Sequence, residues 1–164
     1  MAAAATLLLL LGGQFLASRY GRTSDTERFA TDFVRTAAVE FHQPGLDVRQ
    51  VGGFYERQLG RNIVPVALHQ APVTRATVCD LDGELGSMIE YDLGGTRLVH
   101  YRIPLDSSRA GSPVAGAPAV VDSKRGVQVA HWADGDFEHA LVSRVPGDYL
   151  GLACRESVQP PPRR

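Results

Sequence analysis

The sequence predicts an α+β fold: an N-terminal membrane helix, two further helices, an antiparallel sheet of five or six strands, and a short C-terminal helix. Three observations predict it. Apolar residues recur at helical spacing from Phe29 to Phe41, the mark of a helix with one buried face. After Asn62 the pattern changes to short apolar runs separated by Asp-Gly and Gly-Gly pairs, which signal hairpins. Helices segregated from a run of strands give α+β, not a parallel βαβ sheet.

The N-terminus comes first. Ala2 to Ala17 is apolar apart from Thr6 and Gln14, with an unbroken Leu7 to Leu11 run. It is shorter than the roughly 20 residues a spanning helix prefers. As a signal peptide it lacks a basic n-region. Leu11-Gly12-Gly13 and Phe15-Leu16-Ala17 also put a bulky residue where a cleavage site needs a small one. A retained anchor that lacks its first turn or two accounts for both failures, and a buried soluble helix is the third reading. Arg19 and Arg22 follow the segment. Positive flanks usually stay cytoplasmic, so orientation depends on the charge of the other flank. The missing basic flank, the short span and the position of these arginines together lead us to expect that the reading frame continues upstream of Met1.

Ser24-Asp25-Thr26-Glu27 reads as a capping box. The first helix carries Phe29, Phe33, Ala37 and Phe41 inward, with Ala30, Val34 and Ala38 beside them, and ends at Pro44-Gly45. Asp47 opens a second, weaker helix with Val48, Val51, Phe54, Tyr55 and Leu59 inward, and Gly60 stops it. Ile63 to Leu68, broken by Pro65, reads as an edge or lead-in strand. Thr74–Leu81, Glu84–Leu93 and Arg97–Ile103 form a meander turned by Asp82-Gly83 and Gly94-Gly95. Pro104 to Pro118 reads as a loop. Ala119–Ser123, Val127–Ala133 and Asp136–Val145 complete the sheet, the last two joined at Asp134-Gly135. Pro146 suits the first position of the closing helix. The chain thus divides into an anchor and flank (1–22), an α+β domain (23–157) and a Pro-rich tail expected to be disordered (158–164).

With a net charge of −1, the composition gives no electrostatic case for nucleic acid. Cys79 and Cys154 form no C-x-x-C motif. They could pair in an oxidising compartment or stay separate thiols. The five histidines are His42, His69, His100, His131 and His139. If Asp134-Gly135 is a two-residue turn, Trp132 faces Phe137 as an aromatic pair, His131 faces Glu138, and His139 faces Ala130. His131 and His139 then lie on opposite sides of the sheet and share no metal. Adjacent Ser123 and Lys124 on a strand point opposite ways, which removes a Ser–Lys nucleophile pair. Ser112 lacks a G-x-S-x-G elbow, and neither Gly pair belongs to a phosphate-binding motif. The sequence therefore gives no catalytic, cofactor-binding or metal residues, and we expect neither an enzyme nor a cofactor.

Several stretches resemble a known family. Phe54-Tyr55-Glu56-Arg57-Gln58-Leu59-Gly60 precedes Val64-Pro65-Val66. Cys79-Asp80-Leu81-Asp82-Gly83 precedes Ile89-Glu90-Tyr91. Arg125-Gly126-Val127-Gln128-Val129-Ala130-His131-Trp132 and Ala140-Leu141-Val142-Ser143 follow. Together they resemble the extracytoplasmic region of membrane-spanning bacterial anti-sigma factors over most of residues 1 to 154. The resemblance implies a single-pass inner-membrane regulator with its domain in the periplasm. Its partners would be an envelope sensor or protease, and a sigma factor only if a cytoplasmic segment stands upstream. Such a segment often carries a His-x-x-x-Cys-x-x-Cys zinc motif, and none is present here. The rival expectation is a free-standing periplasmic ligand-binding domain unrelated to sigma regulation.

Overall fold

The computed structural model describes residues 25–36, 48–66, 68, 71–105, 113 and 120–158. The elements are α1 (Asp25–Thr36), α2 (Val48–Leu59), β1 (Val73–Leu81), β2 (Glu84–Leu93), β3 (Thr96–Pro104), β4 (Val120–Lys124), β5 (Val127–Asp134), β6 (Phe137–Ser143) and α3 (Gly147–Val158). The strands form one antiparallel sheet in the order β1-β2-β3-β6-β5-β4. The α+β class is as the sequence predicts, with six strands. The expected membrane helix, the extension of α1 to Pro44, the segments 106–112 and 114–118 of the expected loop, and residues 159–164 of the expected tail lie outside the described residues. Among the described residues no helix is long and apolar enough to cross a membrane.

Three hairpins close as Asp-Gly and Gly-rich turns dictate. Asp82 and Gly83 have φ of 58° and 87°, Gly94 and Gly95 have 60° and 84°, and Arg125 and Gly126 have 49° and 75°. Two consecutive positive φ values define the turn whose twist matches that of the flanking strands. Asp80 and Asp92 each accept a hydrogen bond from the second turn glycine, at 2.8 and 2.7 Å, and so fix the register of the first two hairpins.

The β5–β6 turn differs from expectation. Gly135 has a φ of 46° while Asp136 keeps a negative one, so glycine takes the first central position and Asp134 pairs with Phe137. Trp132 therefore faces His139 and not Phe137. The register moves by two residues, which preserves the faces. His131 and His139 do lie on opposite sides.

Both sheet faces are covered. On one, α1 lays Phe29 and Phe33 against Met88, Val99, Tyr101, Val129 and Val142. On the other, α2 covers β1 and β2 with Val51 and Tyr55, and α3 covers β4 to β6 with Leu150. Val34 was expected to be buried, but it is 41% exposed. It stands off the stripe through Phe29 and Phe33. Ile63 to Leu68 was expected to form a strand, but residues 63–66 and 68 form none. Pro65 has no N–H to give a ladder, and the Val66 carbonyl instead accepts from the Tyr91 hydroxyl at 3.1 Å. The short closing helix is present as expected, over Gly147–Val158.

Gly52 marks a close approach within this layer. A Cβ there would stand 2.8 Å from Asn62 Oδ1, so the helix accepts glycine to let the returning chain pass. Tyr55, three residues on, is fully buried and its hydroxyl faces two ladder carbonyls, Met88 at 2.8 Å and Thr77 at 3.0 Å. Tyr55→Phe leaves the shape intact and removes that donor. It should lower unfolding free energy by about 1–2 kcal/mol in urea titration, while Val34→Ala should change it by less than about 0.5 kcal/mol.

Candidate functional site: the polar interface beneath the first helix

Helix α1 is bound to the sheet by charge as well as by its two phenylalanines. Arg28 is one helical step from Phe29, and Asp32 is one step from Phe33, so both polar groups turn toward the sheet with the stripe. Arg28 Nη2 donates to Glu138 of β6 at 2.6 Å, and Nη1 donates to Glu84 of β2 at 3.0 Å. The other Glu138 oxygen lies 2.7 Å from His131 Nε2 of β5. Glu138 is 1% exposed and His131 is 6%, so this is a buried triad. Burial works against the Glu138 carboxylate, but the hydrogen bonds from His131 and Arg28 outweigh it and hold its pKa below the ordinary value.

The rest of α1 is tied in the same way. Tyr101 of β3 donates to Asp32 at 3.0 Å; burial, and then the Asp32 charge, push the Tyr101 pKa up. Arg97, also on β3, donates to the Phe33 carbonyl at 3.0 Å, to Thr36 at 3.1 Å and to Glu90 at 2.6 Å. A guanidinium on the last helical carbonyls satisfies orphan acceptors and opposes the negative end of the dipole. At the other end, Thr26 donates to Asp122 of β4 at 3.1 Å, and Arg125 in the β4–β5 turn pairs with Glu27. One short helix thus reaches four of the six strands and the β4–β5 turn through side-chain polar contacts.

The opposite face carries a second arrangement. Asp134, at the end of β5, can only accept, so His139 Nε2 donates to it at 2.7 Å. His139 Nδ1 must then accept from His100 Nε2 at 3.0 Å, which leaves His100 Nδ1 as a buried acceptor without a partner. The Trp132 ring stacks on both imidazoles, 5.8 Å from His100 and 5.0 Å from His139, at 9° and 13°. Burial first, and then the neighbouring His139 and Arg102, hold the His100 pKa well below its ordinary value. Burial also lowers that of His139, against the pull of Asp134. Two imidazoles bonded to each other can pass a proton along the chain.

Of the residues weighed from sequence, His42, His69 and Ser112 lie outside the described residues, as does the Cys154 side chain. Cys79 is a free, buried thiol under α1. Burial, and then the Asp32 charge, push its pKa up to about 12, so the thiolate is scarce. Ser123 and Lys124 diverge: Ser123 accepts from Gln128 at 3.2 Å, and Lys124 pairs with Asp122 at 3.1 Å. Sequence reasoning missed Arg28, Asp32, Arg97 and Glu138. The usable signal was an acid and a base spaced by four on the apolar face of a helix, and a lone glutamate in Phe137-Glu138-His139-Ala140-Leu141-Val142.

Removing one member of the triad strands the others in a dry site, so Glu138→Gln should cost about 3–5 kcal/mol in denaturant unfolding. The histidines set a pH dependence. A histidine with a lowered folded pKa takes up a proton in the unfolded chain before it does so in the folded one. Stability should therefore be flat above about pH 7 and fall below about pH 6.5, by up to about 1.4 kcal/mol per pH unit for each such ring. Glu138 adds a second loss only below its ordinary carboxylate range, since a depressed acid stabilises the fold above that range. His100→Phe should flatten the slope between about pH 5 and 7 in urea titrations, and an unchanged slope would show that the chain does not titrate as derived. No family model, no curated protein and no solved structure matches this chain.

Proposed function

We propose that this chain is a membrane-anchored regulatory module, comparable to the extracytoplasmic part of an anti-sigma factor, acting through protein–protein interaction in the bacterial envelope. One observation carries the reading. Helix α1 begins at Asp25, a short way beyond the apolar run that ends at Ala17, and its polar contacts reach β2, β3, β4 and β6. A partner that strains the sheet, or a protease that cuts it, changes the free energy of docking α1, and α1 is the covalent route to the N-terminal segment. Buried charge suits this role. Its net contribution to stability is small while it is complete, but breaking it is costly, so the docked state is defined sharply. The apolar segment and the family resemblance support placement in the inner membrane.

The test uses the native gene. In-frame removal of the codons for residues 25–158 should change transcription from a limited set of promoters that share one consensus, read by mapping transcript starts. Glu138→Gln, which loosens α1 without removing the domain, should move the same promoters in the same direction. Unchanged transcript starts in both strains would contradict the proposal.

A further inference from the structure

Arg28, Arg35, Arg75, Arg97 and Arg125 each sit against a carboxylate. Arg61 and Arg102 converge instead on the ring of Phe137. The Arg102 guanidinium lies 4.0 Å from its centroid and that of Arg61 lies 5.3 Å away. Arg102 Nε is buried without a hydrogen-bond partner. Burial first, and then the Arg61 charge, hold the Arg102 pKa below its ordinary value despite the opposing pull of Asp134. Asp134 gives a carboxylate oxygen to His139, so it neutralises the pair only in part. Two cations held together at a half-buried ring repel each other, and each ring contact returns only about 0.5–1 kcal/mol.

The two arginines border a cleft of about 260 Å³ between the end of α2 and the β5–β6 hairpin, with Gln58 beside them and Leu59, Leu85 and Phe137 supplying apolar wall. Leu85 is 56% exposed, an uncovered aliphatic side chain next to paired positive charge. A guanidinium fork matches carboxylate and phosphate oxygens in bidentate geometry. An anion seated here would relieve the repulsion between the two guanidinium groups. The volume limits the rest of such a ligand to a small body.

We propose that this cleft binds a small amphiphilic oxyanion, a carboxylate or phosphate monoester on an apolar body about the size of a benzene ring, with Arg61 and Arg102 on the head group and Leu59, Leu85 and Phe137 on the body. The source is either a free solute or the exposed head of an anionic lipid. The inference names the chemistry of a signal for the regulatory module, but binding is read on the purified chain. Its failure and the failure of the promoter experiment are therefore separable.

The experiment uses the full chain in a nonionic detergent, titrated with benzoate, phenyl phosphate and, as the uncharged control, benzyl alcohol. Binding is followed by the arginine side-chain ¹⁵N–¹H resonances, with parallel co-sedimentation on phosphatidylcholine vesicles with and without phosphatidylglycerol. Benzoate or phenyl phosphate should shift the Arg102 Nε resonance saturably, and benzyl alcohol should not. Arg61→Gln, a change at an exposed position that leaves the fold intact, should weaken binding by at least about tenfold. Probe binding without sedimentation assigns the site to a free solute. Probe binding together with phosphatidylglycerol-dependent sedimentation, both lost in Arg61→Gln, assigns it to a lipid head. Absence of a saturable shift, equal binding of benzyl alcohol, or wild-type affinity in Arg61→Gln overturns the proposal. So does sedimentation that survives Arg61→Gln without probe binding.

Discussion

Arg28 occupies a position on α1 that a leucine would ordinarily hold, and the rest of the α1 face is arranged around that fact. Its guanidinium is 9% exposed and meets Glu138, which is 1% exposed, with Glu84 and His131 completing the set. A cation in that position is tolerable only if its partner is charged and both are hydrogen-bonded, since an isolated buried charge costs several kcal/mol. Glu138 supplies the charge, and its own second oxygen is satisfied by His131. The consequence is geometric. A helix packed by Phe29 and Phe33 alone could slide along the strands with small loss. A helix whose arginine must reach β2 and β6 together has one register.

The two faces of the sheet solve the covering problem differently. Under α2 and α3 the layer is mainly apolar, with Val51, Tyr55, Ile89, Tyr91, Leu98, Leu141 and Leu150 in one cluster. Away from the histidine chain, its polar groups are tyrosine hydroxyls that reach backbone carbonyls. Burial there is non-directional and tolerates small displacements. Under α1 the contacts are directional and run from Thr26 to Thr36. The helix nearest in sequence to the apolar N-terminal run is therefore the one whose position is most sharply specified. The histidine chain and the arginine-flanked cleft lie on the other face, around the β5–β6 hairpin. That hairpin also carries Glu138, whose side chain points through to the α1 face. A change at the cleft and the docking of α1 thus share one two-stranded ribbon.

Much of the fold was legible in the sequence because hairpin turns have strict chemistry. Asp82-Gly83 and Gly94-Gly95 placed three strands to within a residue or so at each end, and period-two alternation put His131 and His139 on opposite faces. Where the reading failed, two local rules competed. Pro65 in an apolar run looked like an edge strand, yet a neighbouring tyrosine satisfied the backbone and no ladder formed. Asp134-Gly135 looked like the central pair of a turn, yet glycine moved to the first central position and changed the partner of Trp132. The polar interface was harder to see. Periodicity arguments sort residues by hydrophobicity, so they pass over Arg28 and Asp32, although both belong to the buried face. Their partners lie 110 and 69 positions away, a distance at which local pattern carries no information. Arg61 and Arg102 were missed for the same reason, since their shared ring belongs to a third segment.

The charged contacts make α1 and the sheet one cooperative unit. Native-state hydrogen exchange under increasing denaturant measures this directly, because it resolves the opening free energy of each amide. The amides of Phe33 to Thr36 should open with the same free energy and denaturant dependence as those of Val99, Tyr101 and Leu141 in β3 and β6. If the α1 amides instead exchange through a separate opening several kcal/mol below the global one, the helix is only loosely docked and does not form one cooperative unit with the sheet.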